Sequence, residues 1–189
     1  MDKRKAANLR VKNSITEALF SLMHEKGFSD ITITEIIEKS GVARASFYRN
    51  YSSKEDVLVT LVRDILNCFQ EEADYDLTNY LSYENILRSF QYFKRYEKYV
   101  LDLYHSGFGT ILLEELNQFH ELIAGTMSVR SLEKYKLYVY IGALYNTAIA
   151  WLVNGGVEST ENIAAIFCNS MDVSASADMS VFCENRRDS

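Results

Sequence analysis

The chain has 189 residues, 48% hydrophobic and 24% charged, which is enough apolar material for a core in one large domain or two small ones. It contains no proline, and because proline breaks helix interiors the composition predicts an almost wholly helical, all-α fold. The net charge of −6 excludes a uniformly basic protein, but residues 1–63 alone carry a net +3 and the remainder a net −9, as expected of a small basic nucleic-acid module on a larger acidic body.

Residues 1–12 are basic and polar and read as a mobile arm; no apolar stretch follows Met1-Asp2-Lys3-Arg4-Lys5, so this end is not a secretory signal. Ile15, Ala18, Leu19, Leu22 and Met23 then recur at helical spacing and give a first helix one apolar face. Gly27 stops it, and Phe28 folds back as an apolar plug. Thr32 and Glu35 form a T-x-x-E capping box that opens a second helix, with Ile33, Ile36 and Ile37 on its inner side. Ser40-Gly41 ends that helix, since glycine adopts the left-handed turn at low cost, and Val42 packs inward. A third helix spans roughly 43–50. Two short helices around a glycine turn, the second polar and aromatic on its outer face, make a helix-turn-helix, whose second helix can enter a DNA major groove.

Ser53 caps a long fourth helix with a seam of Leu58, Leu61, Val62, Ile65, Leu66 and Phe69. Residues 73–82 are acidic and tyrosine-rich, a connector. Ser82 caps the next of two helices, near 83–95 and 96–105, and another follows from 110 to 127. The segment 131–154 is apolar nearly all round, so it is buried on several sides or packs against a partner chain. Asn154-Gly155-Gly156 ends it, and Ser159 opens a last helix with Ile163, Ala164, Ile166 and Phe167. From Met171 the chain is weakly patterned and reads as frayed. No apolar run is long enough to span a membrane. The scattered Cys68, Cys168 and Cys183 fit a reducing cytoplasm better than a disulfide frame.

The order and spacing of Thr32-Ile33-Thr34-Glu35-Ile36-Ile37, Gly41-Val42, Phe47-Tyr48, Tyr51 and Lys54-Glu55 resemble the TetR family of bacterial transcriptional regulators. The run Trp151-Leu152-Val153-Asn154-Gly155-Gly156, with Ser159-Thr160-Glu161-Asn162-Ile163, is similar to the end of the regulatory domain in the branch of dihydroxyacetone-kinase-type regulators. The resemblance implies a homodimer whose last two long helices bundle with their mates, and a central cavity for a small-molecule effector. Two positions depart from the family. Position 43, commonly Ser or Thr, is Ala, which removes a side-chain cap worth ~1 kcal/mol. Position 50, commonly His, is Asn.

These readings divide the chain into a helix-turn-helix domain with its arm (1–52), a ligand-binding and dimerisation domain (53–170) and a tail (171–189). Arg44 opens the recognition helix, where a guanidinium can read guanine or hold a phosphate. Ser46 and Arg49 share its face, and Ser46 can bond base or phosphate. Tyr48 and Asn50 read as phosphate clamps, with an aromatic lid on the core as the alternative for Tyr48. Thr32 and Thr34 lie at a helix N-terminus suited to a phosphate, although capping alone explains Thr32. Lys54 can reach a phosphate, and its charge opposes the helix dipole there.

For the body, Phe90, Phe93, Tyr104, Phe119, Tyr138 and Tyr145 are the candidate pocket residues. Tyr138, Ile141, Tyr145, Ile149, Leu152, Ile163 and Phe167 are the candidate dimer interface. No catalytic set emerges: His24, His105 and His120 lack metal-ligand spacing, and no nucleophile-elbow or phosphate-loop pattern is present, so no enzyme, metal or cofactor is expected. The expected function is a ligand-responsive regulator binding double-stranded DNA, in the repressor role, at a palindromic operator. The alternative is a co-regulator that keeps the fold and acts through protein contacts.

Overall fold

The computed structural model describes residues 3–73, 79–123 and 132–171. Among them the chain forms nine α-helices and one 3-10 turn: α1 (Lys3–Glu25), the turn Phe28–Asp30, α2 (Ile33–Ser40), α3 (Arg44–Asn50), α4 (Lys54–Ala73), α5 (Tyr83–Arg95), α6 (Glu97–His105), α7 (Gly109–Ile123), α8 (Leu132–Val153) and α9 (Thr160–Met171). None is long and apolar enough to cross a membrane.

Local chemistry sets the ends of these helices. At α2 the Thr32 hydroxyl accepts from the Glu35 N–H at 3.3 Å, while the Glu35 carboxylate accepts from the Thr32 N–H at 2.9 Å. Lys26 also binds Glu35 at 2.6 Å; with the two Thr32 bonds it holds that carboxyl at about 2, well below the usual range. Gly41 closes α2 in the left-handed region (φ 67°) and donates to the Ile37 carbonyl at 3.0 Å. Ser53 caps α4 through the Asp56 N–H, Ser82 caps α5 through the Asn85 N–H, and Ser159 accepts from the Asn162 N–H at the start of α9.

The head, α1 to α3, closes on Ile15, Leu19, Phe20, Ile31, Ile36 and Phe47, all buried. Helix α4 leaves it and packs against both α1 and α7. Arg63 of α4 forks onto the buried carboxylate of Glu115 in α7 at 2.7 and 2.9 Å, a bidentate tie between the two layers. In the body, α5 packs against α8 and α9, and Phe90 sits edge-on to both Trp151 and Phe167.

The basic N-terminal segment departs from expectation: α1 starts at Lys3 rather than after a mobile arm. Its Lys, Arg, Ala and Leu are strong helix formers with no glycine or proline among them, Val11 packs on the core, and Lys12 pairs with Asp64 at 2.5 Å. Ile166, named with the apolar residues of the last helix, is exposed because α9 turns only Ile163, Ala164 and Phe167 inward. The expected tail and the stretch 124–127 lie outside the described residues, as do residues 74–78 of the expected connector.

Candidate nucleic-acid interface

Helix α3 is a seven-residue helix anchored by one side chain. Phe47 is fully buried and meets Tyr51 at 5.8 Å between ring centroids, which turns the opposite face outward. On that face Arg44, Ala45, Tyr48 and Arg49 are exposed and Ser46 is half-buried. Arg44 reaches towards the Thr34 hydroxyl (3.5 Å) and the Tyr48 hydroxyl (3.4 Å), with its guanidinium 5.5 Å from the Tyr48 ring centroid. Arg49 lies 3.3 Å from the Ser46 hydroxyl. These are long, weak contacts on rotatable side chains, and among the described residues neither arginine forms an ion pair with a carboxylate. Both guanidiniums therefore stand uncompensated at the surface, the condition for attracting a phosphate or a guanine edge.

Ala45, which the sequence reading passed over, occupies the middle of this face between Arg44, Tyr48 and Arg49. A 100° turn per residue places it there, and a methyl group lets a helix approach a groove closely and touch a thymine methyl. The same helical wheel, centred on buried Phe47, could have found it.

Three residues read as phosphate contacts have their donors engaged. Thr32 gives its hydroxyl proton to Glu35 at 2.8 Å, leaving no donor for a phosphate. Asn50 donates to the Ser46 carbonyl at 2.8 Å, one turn back, which leaves it a single amide hydrogen. Lys54 is the most fully engaged of the three. Its ammonium donates to the carbonyls of Phe28 (2.6 Å), Ile31 (2.8 Å) and Ser29 (3.1 Å) and stands 4.6 Å from the Phe28 ring centroid. An ammonium has three donors, so all of them are committed. These carbonyls give the adverse position at the start of α4 a structural account. Thr34 remains exposed beside Arg44.

Behind the head, α4, α5, α6 and α7, with Leu144 of α8, line a partly open cavity with about 60 Å³ of free space. Of the six candidate pocket residues, Phe93 and Phe119 line it. Phe90 is buried in the α5–α8–α9 core instead, and Tyr104 is exposed. Tyr138 bonds Glu121, and the Tyr145 hydroxyl lies against Gly109, where a Cβ would meet it at 2.6 Å. The wall is otherwise supplied by residues such as Leu66, Phe69, Tyr92, Tyr96, Tyr99, Leu116 and Leu144. His120, also on the wall, donates from Nδ1 to the Leu116 carbonyl at 2.8 Å, and burial pushes its pKa down, so it is neutral.

The candidate dimer residues are likewise redistributed. Ile141, Ile149, Leu152, Ile163 and Phe167 are buried inside their own chain, and Tyr138 and Tyr145 are half-buried against α7 and its start. The segment is apolar all round because one side fills its own core and another side faces out. That outer side carries Tyr135, Val139, Gly142, Asn146, Ala150 and Val153 on α8, at steps of three and four, and Ile166 of α9 is exposed as well. Val139 is 63% and Ile166 58% exposed.

Residues 15–61 match the model of the tetR family of bacterial regulatory proteins. Over 56 residues, 29% of this chain, the sequence is 34% identical to the HTH-type transcriptional regulator YxbF of Bacillus subtilis (strain 168), a match spanning 15% of that protein's length. The fold is similar to that of the TetR transcriptional regulator from Streptococcus agalactiae 2603V, with a TM-score of 0.59 and 21% identity, over 89% of this chain and 97% of that one. It is similar also to the dihydroxyacetone kinase operon activator DhaS, with a TM-score of 0.54 and 14% identity, over 85% of this chain and 93% of that one. At such identities the two structural likenesses are of fold. The family and these relatives are transcription regulators, not enzymes.

Proposed function

We propose that this chain belongs to the TetR family of bacterial regulators and is a DNA-binding transcriptional regulator that acts as a homodimer on a roughly palindromic operator, in the repressor role, and releases it when a small molecule enters the body. The observation that carries this reading is the outer face of α3: Arg44, Ala45, Ser46, Tyr48 and Arg49 project together from a helix fixed by Phe47, with no carboxylate paired to either arginine among the described residues. The net +3 of residues 1–63 supplies sequence-independent attraction, and the face of α3 supplies the groups that discriminate bases. Such a protein works in the cytoplasm, where its operator is.

The dimer reading rests on the stripe Tyr135, Val139, Gly142, Val153 and Ile166. The two-fold symmetry of such a dimer would be mirrored in the operator. The effector reading rests on the cavity beside α6. The co-regulator alternative is favoured by one feature: Thr32 and Lys54, two of the expected phosphate donors, are spent inside the head.

Selection from a random duplex library with the purified protein decides between them. An enriched inverted repeat, bound less tightly as salt rises, is the expected result. Enrichment of no sequence would transfer the reading to the co-regulator.

A further inference from the structure

The cavity between α4 and α7 has an unusual division of labour in its wall. Tyr92, Tyr96 and Tyr99 present rings to it, yet the Tyr92 hydroxyl is directed at the Glu72 carboxylate, with the Cys68 carbonyl 3.2 Å away, and Tyr99 donates its hydroxyl proton to Glu17 of α1 at 2.5 Å. Those carboxylates are in turn paired with Arg95 and Lys98. The polar ends of two tyrosines are thus drawn outwards and held there, and what faces inwards is carbon. Ser89 donates its proton to the Asn85 carbonyl at 2.9 Å, so its oxygen can only accept. Among the described residues no charged side chain lines the space.

We propose that this cavity takes an uncharged, mainly apolar molecule, such as a short alkyl chain or a single small ring bearing at most one neutral donor for Ser89. The inference rests on the reading above that the cavity receives an effector, and names its chemical class. An anion or cation placed there would lose its hydration with no ion to replace it. A neutral chain loses nothing comparable and gains contact with the rings and with Leu66 and Leu116. Neutral His120 fits this environment. The free space, about 60 Å³, holds a few waters or one small apolar group without rearrangement.

The test is an NMR titration of the full chain with three probes of equal length: 1-hexanol, hexanoate and hexylammonium at neutral pH. The alcohol should bind at least about 100-fold more tightly than either ion. Leu116→Trp, which fills the space, should abolish alcohol binding; Leu112→Phe serves if circular dichroism shows the first variant unfolded. Ions binding within about threefold of the alcohol would overturn the proposal, as would alcohol binding that survives both fillings, or no binding by any probe. Affinity for the library-selected DNA is measured alongside. Selective alcohol binding that leaves DNA affinity unchanged upholds the chemical class and sinks the effector reading, so the two fail separately.

Discussion

The ammonium of Lys54, at the start of α4, donates to the carbonyl of Phe28 at 2.6 Å and stands over the same residue's ring, tying α4 to the turn that follows α1. Replacing it by alanine takes the ammonium from the Ser29 and Ile31 carbonyls and leaves the Phe28 carbonyl with only the Ile31 N–H. Lys54→Ala should therefore lower unfolding stability by about 1–3 kcal/mol, read by urea denaturation. The salt slope of DNA binding should be unchanged. A flattened slope with unaltered stability would restore Lys54 as a phosphate contact.

Arg44 and Tyr48 touch each other but are expected to serve differently. Arg44→Ala should cost about 1–3 kcal/mol of affinity and relax the preference at one base position per half-site. Tyr48→Phe should weaken all sequences nearly equally. Binding of each variant to a panel of operator mutants checks this, and equal losses across the panel for Arg44→Ala would leave it a phosphate contact.

On the body, burial now separates assembly from folding. Val139→Glu or Ile166→Glu changes an exposed residue and should give folded monomers by light scattering. Ile149→Glu buries an unpaired charge and should unfold the chain instead. Gly142 offers a second route: a Cβ there meets nothing within 4 Å, so Gly142→Leu should fold normally and still block close helix approach. A stable dimer in Val139→Glu and Gly142→Leu alike would mean that another face is used.

The N-terminus of α3 lacks a side-chain cap because Ala43 has none to offer, although its extended backbone (φ −66°, ψ 142°) suits one. Ala43→Ser should raise stability by about 0.5–1 kcal/mol, measured by thermal denaturation. No gain would show that the first N–H groups of α3 are already satisfied.

Stability should also fall on mild acidification. Burial holds the folded pKa of His120 below its unfolded value of about 6.5. Below that pH the unfolded chain takes up a proton that the native chain refuses, so the native state loses ground from about pH 6.5 downwards. The lowered carboxyls, Glu17 and Glu35 among them, act in a separate window, their contribution being lost only as pH falls below about 4.5. Melting temperatures from pH 7.5 to 5.5 should drop for the wild type and stay flatter for His120→Phe; parallel curves would assign the drop to other groups.

What could be read along the chain was whatever depends on neighbours a few residues away. The Thr32–Glu35 box, the Gly41 turn, the Ser53, Ser82 and Ser159 caps and the apolar spacing of α1 and α4 are i to i+3 or i+4 relationships, so the all-helical order and the helix-turn-helix were legible in the sequence itself. So was the outward run Arg44, Ser46, Tyr48 and Arg49, since one buried aromatic at Phe47 orients a seven-residue helix.

Tertiary structure decided everything that depends on partners far along the chain. Lys54 had a donor's chemistry and an unfavourable position, but only the fold brings three carbonyls 23 to 26 residues away onto it. Helix α8 is apolar on nearly every side, so its pattern has no preferred face; α5, α6 and α7 choose which residues turn inwards, burying Ile141, Ile149 and Leu152 and leaving Tyr135 and Val139 outside. The tyrosines could not be sorted by composition for the same reason. A ring with a hydroxyl is equally suited to a cavity wall, a core or a surface, and it is the carboxylates of Glu17 and Glu72, on other helices, that draw the hydroxyls of Tyr99 and Tyr92 away from the cavity and leave it apolar.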